Sequence, residues 1–178
     1  MKFIDLQKQY KIIKNKVNKD ILNVLDSGNF ILGEQVYELE KKLAKYVGVK
    51  ECVSCASGTD ALLISLMSYG IGKGDAVFTT NFSFFATTEV ISMLGATPVF
   101  VDIDKNTFNI DTELLEDEIK NTLKEKQLTA KCIIPVDIFG LLANYDDLSI
   151  IAKKYDLFLI EDAAQSFGAS YKSKKSCS

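Results

Sequence analysis

The 178-residue sequence contains no histidine. That absence excludes a Ser-His-Asp triad, a Cys-His dyad and the common histidine-bearing zinc sites from being built within the chain. Cysteine is scarce as well, with four residues: Cys52, Cys55, Cys132 and Cys177. Cys52 and Cys55 form a Cys-x-x-Cys, a spacing that serves redox centres or half of a zinc site, but no second cysteine pair completes one. The pair lies in an apolar run, where alternate residues of a strand face opposite ways, and both are read as core thiols with no metal. No basic stripe marks a nucleic-acid surface, and the net charge of −3 is spread over interspersed lysines and acids. No apolar run is long enough to span a bilayer, and Met1-Lys2-Phe3-Ile4-Asp5 lacks a signal-peptide core, so the expected compartment is the cytoplasm. No internal repeat, low-complexity tract or linker interrupts the chain. What is present is 47% apolar and 25% charged residues, a balance that fits a soluble globular protein with a real core.

The chain is organised around Cys52-Val53-Ser54-Cys55-Ala56-Ser57-Gly58-Thr59-Asp60-Ala61-Leu62-Leu63. The small and apolar residues predict a short buried strand, Ser57-Gly58-Thr59 a turn, and Asp60 to Tyr69 a helix with Leu62, Leu63, Leu66 and Met67 on one face. A helix entered through glycine presents free backbone N–H groups and the positive end of its dipole, which together seat a phosphate. The same residues also describe an ordinary N-cap before a core helix, and from this stretch alone that is the preferred reading, because helix starts of this kind are common.

Ahead of it, apolar positions at Ile4, Leu6, Tyr10, Ile13, Val17, Ile21, Leu22 and Leu25 predict a helix stopped by Asp26-Ser27-Gly28-Asn29. A short apolar connection, Phe30-Ile31-Leu32-Gly33, leads to a second helix over Glu34 to Tyr46, with Val36, Leu39, Leu43 and Ala44 inward. Both helices precede any strand and are expected to form an arm over residues 1–48. From residue 49 onward the pattern alternates. Strands are predicted at Ala76–Thr80, Pro98–Ile103, Lys131–Val136 and Leu157–Glu161, and helices at Phe84–Leu94, Asp111–Lys126 and Tyr145–Lys154. Near-continuous apolar strands alternating with helices predict an α/β fold, a mainly parallel sheet covered on both faces. Pro135, late in its strand, marks a strand end or an edge.

Ligands of such sheets lie at the carboxyl ends of the strands. There the sequence places Ser57 to Asp60, then Asn81 to Phe85, then Asp102 and Asp104, then Asp137, Phe139 and Gly140, then Asp162 and Gln165. No Gly-x-Gly-x-x-Gly follows the first strand, which argues against a nicotinamide-binding fold. A phosphate seat, an aromatic plate and an acid at the end of a buried strand describe instead a pyridoxal phosphate site, although Asp162 would equally serve as the cap of a following helix.

At this point the sequence resembles the nucleotide-sugar aminotransferases of the DegT/StrS family, a branch of the fold type I pyridoxal phosphate enzymes. The matching segments are Phe3-Ile4-Asp5-Leu6, Gly33-Glu34-Gln35-Val36, Ser57-Gly58-Thr59-Asp60-Ala61-Leu62, Phe82-Ser83-Phe84-Phe85-Ala86-Thr87, Gly95-Ala96-Thr97-Pro98-Val99-Phe100-Val101-Asp102 and Ile160-Glu161-Asp162-Ala163-Ala164-Gln165. They follow the family's order and spacing along the whole chain. The resemblance implies that Gly58 and Thr59 hold the phosphate of pyridoxal 5'-phosphate and that Phe84 stacks on its ring. It implies that Asp162, the catalytic acid, pairs with the ring nitrogen and that Gln165 lies near the phenolic oxygen. It further implies a homodimer that transfers an amino group, with glutamate as donor, to a keto sugar nucleotide for polysaccharide or glycan biosynthesis.

One departure stands beside these matches. The family's chemistry needs a lysine that carries the cofactor and shuttles the proton, and by family spacing it falls beyond Ser178. Lys172, Lys174 and Lys175 come too early and are read as solvated charges in a polar turn. Residues 49–178 are accordingly expected to be a partial cofactor-binding domain, with its remaining strands, the lysine and a small C-terminal domain absent, and the 178 residues alone to be inactive. The Cys52 strand is then expected to lack a neighbour, leaving two open sheet edges. The other readings are a relative that uses the same cofactor for sugar dehydration, and a non-enzymatic α/β binding module.

Overall fold

The computed structural model describes residues 3–178. Helix α1 (Leu6–Ser27) starts on Asp5, whose carboxylate accepts the Lys8 amide at 3.0 Å, and ends at Gly28 in the left-handed region. None of its residues is buried: of the apolar positions that predict the helix, Val17 is half-buried and Leu6, Tyr10, Ile13, Ile21, Leu22 and Leu25 are exposed. Helix α2 (Glu34–Val47) buries only Ala44 and Val47; Val36 and Leu43 are half-buried, and Leu39, expected inward, is exposed.

Beyond them lie α3 (Gly58–Ser68), β1 (Asp75–Thr80), α4 (Phe85–Met93), β2 (Thr97–Val101), α5 (Thr112–Glu125), β3 (Thr129–Ile134), α6 (Tyr145–Lys154) and β4 (Phe158–Leu159). The four strands form one parallel sheet in the order β2-β1-β3-β4. A two-residue hairpin of β5 (Ser170–Tyr171) and β6 (Lys174–Lys175) closes the chain.

The sheet is buried on both faces because its strands are apolar at consecutive positions, and alternate residues point to opposite sides. Ala76 and Phe78 of β1 and Ile133 of β3 pack with Leu115 and Ile119 of α5 and Leu148 and Ile151 of α6. Val77, Cys132 and Ile134 pack on the other face with Leu62 and Leu66 of α3 and Val90 and Ile91 of α4. Asp111 caps α5 through the amides of Glu113 and Leu114, as its place before the charged helix predicts. β3 ends at Ile134, one residue short of Pro135, which has no amide hydrogen to continue the ladder.

Two expectations fail together. Residues 51–57 form no strand: Val53 and Cys55 are exposed and Cys52 is half-buried. A strand exists only where a neighbour takes its N–H and C=O groups, and β4, at the sheet edge, pairs only with β3 among the described residues. The segment is held instead by Glu40, whose carboxylate accepts both the amide and the hydroxyl of Ser54 at 2.7 Å. Cys52 and Cys55 are therefore not core thiols. Cys132 is one, and burial pushes its thiol up to about 12. Met67, expected on the inner face of α3, is exposed as well.

Candidate active site

A helix that runs back along a parallel sheet begins at the carboxyl end of the strand before it, as α4 does after β1, and α3 packs beside α4 on the same face. At the start of α3 the N-cap is Ser57. Its hydroxyl oxygen accepts the Asp60 amide at 3.1 Å, and its hydroxyl donates to the Asp60 carboxylate. The first intrahelical bond runs from the Ala61 amide to the Ser57 carbonyl. The amides of Gly58 and Thr59 precede it and have no carbonyl within the helix to reach. The cap is thus complete without Thr59. A Cβ built on Gly58 would meet no heavy atom within 4 Å, so the space over these amides is open to an anion.

Phe84 immediately precedes α4 and is 73% exposed, so it belongs to the rim and not to the core. Three residues on, Thr87 is fully buried and donates its hydroxyl to Asp162 Oδ2 at 2.7 Å. Asp162 is itself buried. It extends the β3–β4 ladder by one parallel bridge to Val136: its amide donates to the Pro135 carbonyl, and its carbonyl accepts the Asp137 amide. Its other oxygen, Oδ1, receives a long bond of 3.3 Å from the Ala164 amide. No helix follows among the described residues, so Asp162 caps none. Gln165 is exposed, and its carbonyl lies 3.1 Å from where a Cβ on Gly140 would stand. With φ at +80° as well, position 140 takes glycine for two reasons at once.

Side chains along β4 alternate in the same way as the rest of the sheet. Leu159 packs on the α5–α6 side and Ile160 on the α3–α4 side. Glu161 and Asp162 follow that alternation, Asp162 toward Thr87 and Glu161 toward α6. Glu161 Oε2 accepts the Cys177 amide at 2.8 Å, while Oε1 is buried without a hydrogen-bond partner among the described residues.

Asp137, noted in the sequence only as a rim residue, proves to be fully buried and to tie this region together. It accepts the Ala143 amide at 2.9 Å, the Ser166 hydroxyl at 3.0 Å and the Tyr145 hydroxyl at 3.3 Å. Burial, and then the neighbouring Glu161 carboxyl, push its carboxyl up to about 6, against the Ala143 and Ser166 hydrogen bonds. Burial likewise pushes the Tyr145 hydroxyl far above its ordinary value. The sign of the linkage follows. The folded chain holds a proton on Asp137 that the unfolded chain has already released, so this group's contribution to stability falls as pH rises from about 4 through about 6. Asp137→Asn is expected to match the parent at pH 4.5 and to be more stable at pH 7.5, by about 1–2 kcal/mol. Urea unfolding at the two pH values checks this; a variant less stable than the parent at pH 7.5 contradicts it.

A cleft of about 280 Å³ opens between α6 and the terminal hairpin, lined by Tyr145, Asp146, Glu161, Lys172, Lys174 and Lys175 among others. It lies on the Glu161 side, and none of the five sequence-predicted site residues lines it. Two of its lysines are not simply solvated: Lys172 pairs with Asp146, and the Lys175 ammonium sits 3.3 Å from the centroid of the Tyr46 ring.

The sequence matches the DegT/DnrJ/EryC1/StrS aminotransferase family over residues 11–178. The chain belongs to that family. UDP-2-acetamido-2-deoxy-3-oxo-D-glucuronate aminotransferase of Pseudomonas aeruginosa is 50% identical over 177 residues, 99% of this chain and 47% of the relative. A crystal structure of a DegT/DnrJ/EryC1/StrS aminotransferase from Brucella abortus superimposes with a TM-score of 0.93 at 51% identity, over 94% of this chain and 45% of that one. NtdA of Bacillus subtilis, solved with bound cofactor PMP, is 34% identical with a TM-score of 0.79, over 88% of this chain and 35% of that one. The fold is therefore that of the fold type I aminotransferases. The chain spans under half the length of the curated relatives it resembles, among them the Pseudomonas enzyme.

Within this family frame, Thr87 and Asp137 are the residues that sequence reasoning missed. Thr87 stands inside a matched segment, but nothing in a sequence tells where a helical hydroxyl points.

Proposed function

We propose that the complete enzyme containing these residues transfers an amino group from glutamate to a keto sugar nucleotide, using pyridoxal 5'-phosphate, in polysaccharide or glycan biosynthesis. The observation that carries the reading is the buried Asp162 at the end of the sheet, held by a short bond from Thr87 at one oxygen and only by a long bond from the Ala164 amide at the other, together with the bare amides at the start of α3. The family and the Pseudomonas relative's sugar-nucleotide name support the reaction and the substrate class.

The residues fit the cofactor. The Gly58 and Thr59 amides, with the Thr59 hydroxyl beside them, receive the phosphate at a helix N-terminus where no Cβ obstructs it. Phe84 offers an exposed ring face. Asp162 holds the proton on the ring nitrogen, and Gln165 approaches the phenolic oxygen. When bound, pyridoxal phosphate supplies an electron sink for the carbanion left by removal of an α-proton. The test is to mix the complete enzyme, loaded with cofactor, with glutamate and then with a 3-keto UDP-sugar. Formation of 2-oxoglutarate followed by an aminated sugar nucleotide is expected. A protein that retains no pyridoxal phosphate after dialysis sinks the proposal.

The complete enzyme is further read as a cytoplasmic homodimer. Phe30, Ile31 and Leu32 are 67%, 85% and 62% exposed, an apolar run that suits a contact between chains. Light scattering should give the mass of a dimer, and Ile31→Asp should shift it toward monomer. Full activity in a monomer contradicts this.

A further inference from the structure

We propose that Thr87 is a positioning residue for the acid of the cofactor site: its hydroxyl, 2.7 Å from Asp162 Oδ2, fixes the carboxylate so that Oδ1 faces the ring nitrogen. The inference rests on the reading of Asp162 given above and deepens it.

A buried hydroxyl must find a partner, and a threonine or serine in a helix has one at hand in the carbonyl four residues back. Four other helical hydroxyls of this chain take it, and Ser27 and Ser68 take the carbonyl three residues back. Ser65 donates to Ala61, Ser92 to Thr88, Thr122 to Glu118 and Ser149 to Tyr145. Thr87 does not. It turns away from its own helix and reaches across 75 positions of sequence to Asp162. Its neighbour Ser83 lies 3.3 Å from the same oxygen. A threonine hydroxyl has one proton. Once that proton points at the carboxylate, Ser83 is the donor in its contact with Thr87. Ser83, Thr87 and Asp162 thus form a directed chain that runs beside Phe84.

Phe84 and Thr87 stand three residues apart at the start of α4, so a single helical turn sets both the ring face and the acid. The consequence for the acid is asymmetry. Oδ2 is occupied by a short bond, while Oδ1 takes only the 3.3 Å bond from Ala164 and keeps accepting capacity.

The experiment compares the complete enzyme with Thr87→Val, which keeps the shape and removes the donor, and with Thr87→Ser, which keeps the donor. Each is loaded with pyridoxal phosphate carrying nitrogen-15 in the ring. In Thr87→Val the ring-nitrogen resonance should move toward its unprotonated position and kcat should fall about tenfold, the scale of one hydrogen bond to a charged group, with KM for the sugar nucleotide unchanged. Thr87→Ser should restore both. If the valine variant does not fold, Thr87→Ala carries the same comparison. A parental resonance and kcat in a donor-free variant overturn the proposal while leaving Asp162 in place. Failure of the parent enzyme to bind the cofactor overturns the reading of the site, and this inference with it.

Discussion

Asp162→Ala in the complete enzyme abolishes transamination, with kcat falling at least about 10³-fold, the upper range for removing a key electrostatic group, while Asp162→Glu retains part of it. This is the expected outcome because the acid is placed by backbone as well as by side chain. Its own amide and carbonyl are bonded to the residues after β3, and its carboxylate is bonded to Thr87. An alanine keeps the backbone bonds and loses only the group facing the rim, so the variant should fold and bind cofactor weakly without turning it over. Glutamate reaches further by one methylene, which misplaces the oxygens but keeps a carboxylate. Measuring 2-oxoglutarate release from glutamate separates the outcomes, and turnover near the parental rate in the alanine variant refutes the assignment.

A second large effect is expected at Gly58, and it should dissociate binding from stability. Gly58→Asp adds a side chain where a Cβ meets nothing, at a backbone that any residue can adopt. An acid in the first turn of α3 is favourable to the helix itself, so the melting temperature should hold or rise slightly. The same carboxylate would stand close to the phosphate. Two unit charges about 4 Å apart repel by about 4 kcal/mol at an effective dielectric constant of about 20. Even after screening, the dissociation constant for pyridoxal phosphate should rise about 100-fold or more. Fluorescence titration of the apo enzyme measures it. Unchanged affinity would remove the start of α3 from the site.

The readable parts of this chain are those governed by local pattern. The alternation of apolar strands and amphipathic helices from β1 to β4 gave the sheet and its two covered faces, and Asp111 and Gly28 marked helix ends by their own chemistry. The failures have one physical cause, which is that burial depends on neighbours the local sequence does not name. The Cys52 to Ala56 run is apolar enough for a strand, but without a partner its cysteines are exposed or only half-buried. The apolar stripe of α1 predicts a helix correctly and says nothing of what it packs against. At the site, Asp162 and Gly58 stood out because the first ends a readable apolar strand and the second opens a helix. Thr87 and Asp137 did not, because their roles depend on a hydroxyl's direction and on burial by residues far away in sequence.

The neighbouring acids Glu161 and Asp162 carry a last implication. They point to opposite sides of a strand with only two laddered residues, Phe158 and Leu159 opposite Cys132 and Ile133, and one further bridge at Val136. Because side chains alternate, sliding β4 by a single residue along β3 would turn each acid to the opposite face of the sheet. With one residue removed ahead of β4, Asp162 would stand where Glu161 stands now, against α6, and Ala163 would stand opposite Thr87. The choice of acid is thus encoded in strand alignment as much as in residue type. A one-residue deletion between α6 and β4, within Tyr155–Leu157, would disable the site while leaving every residue discussed for it intact.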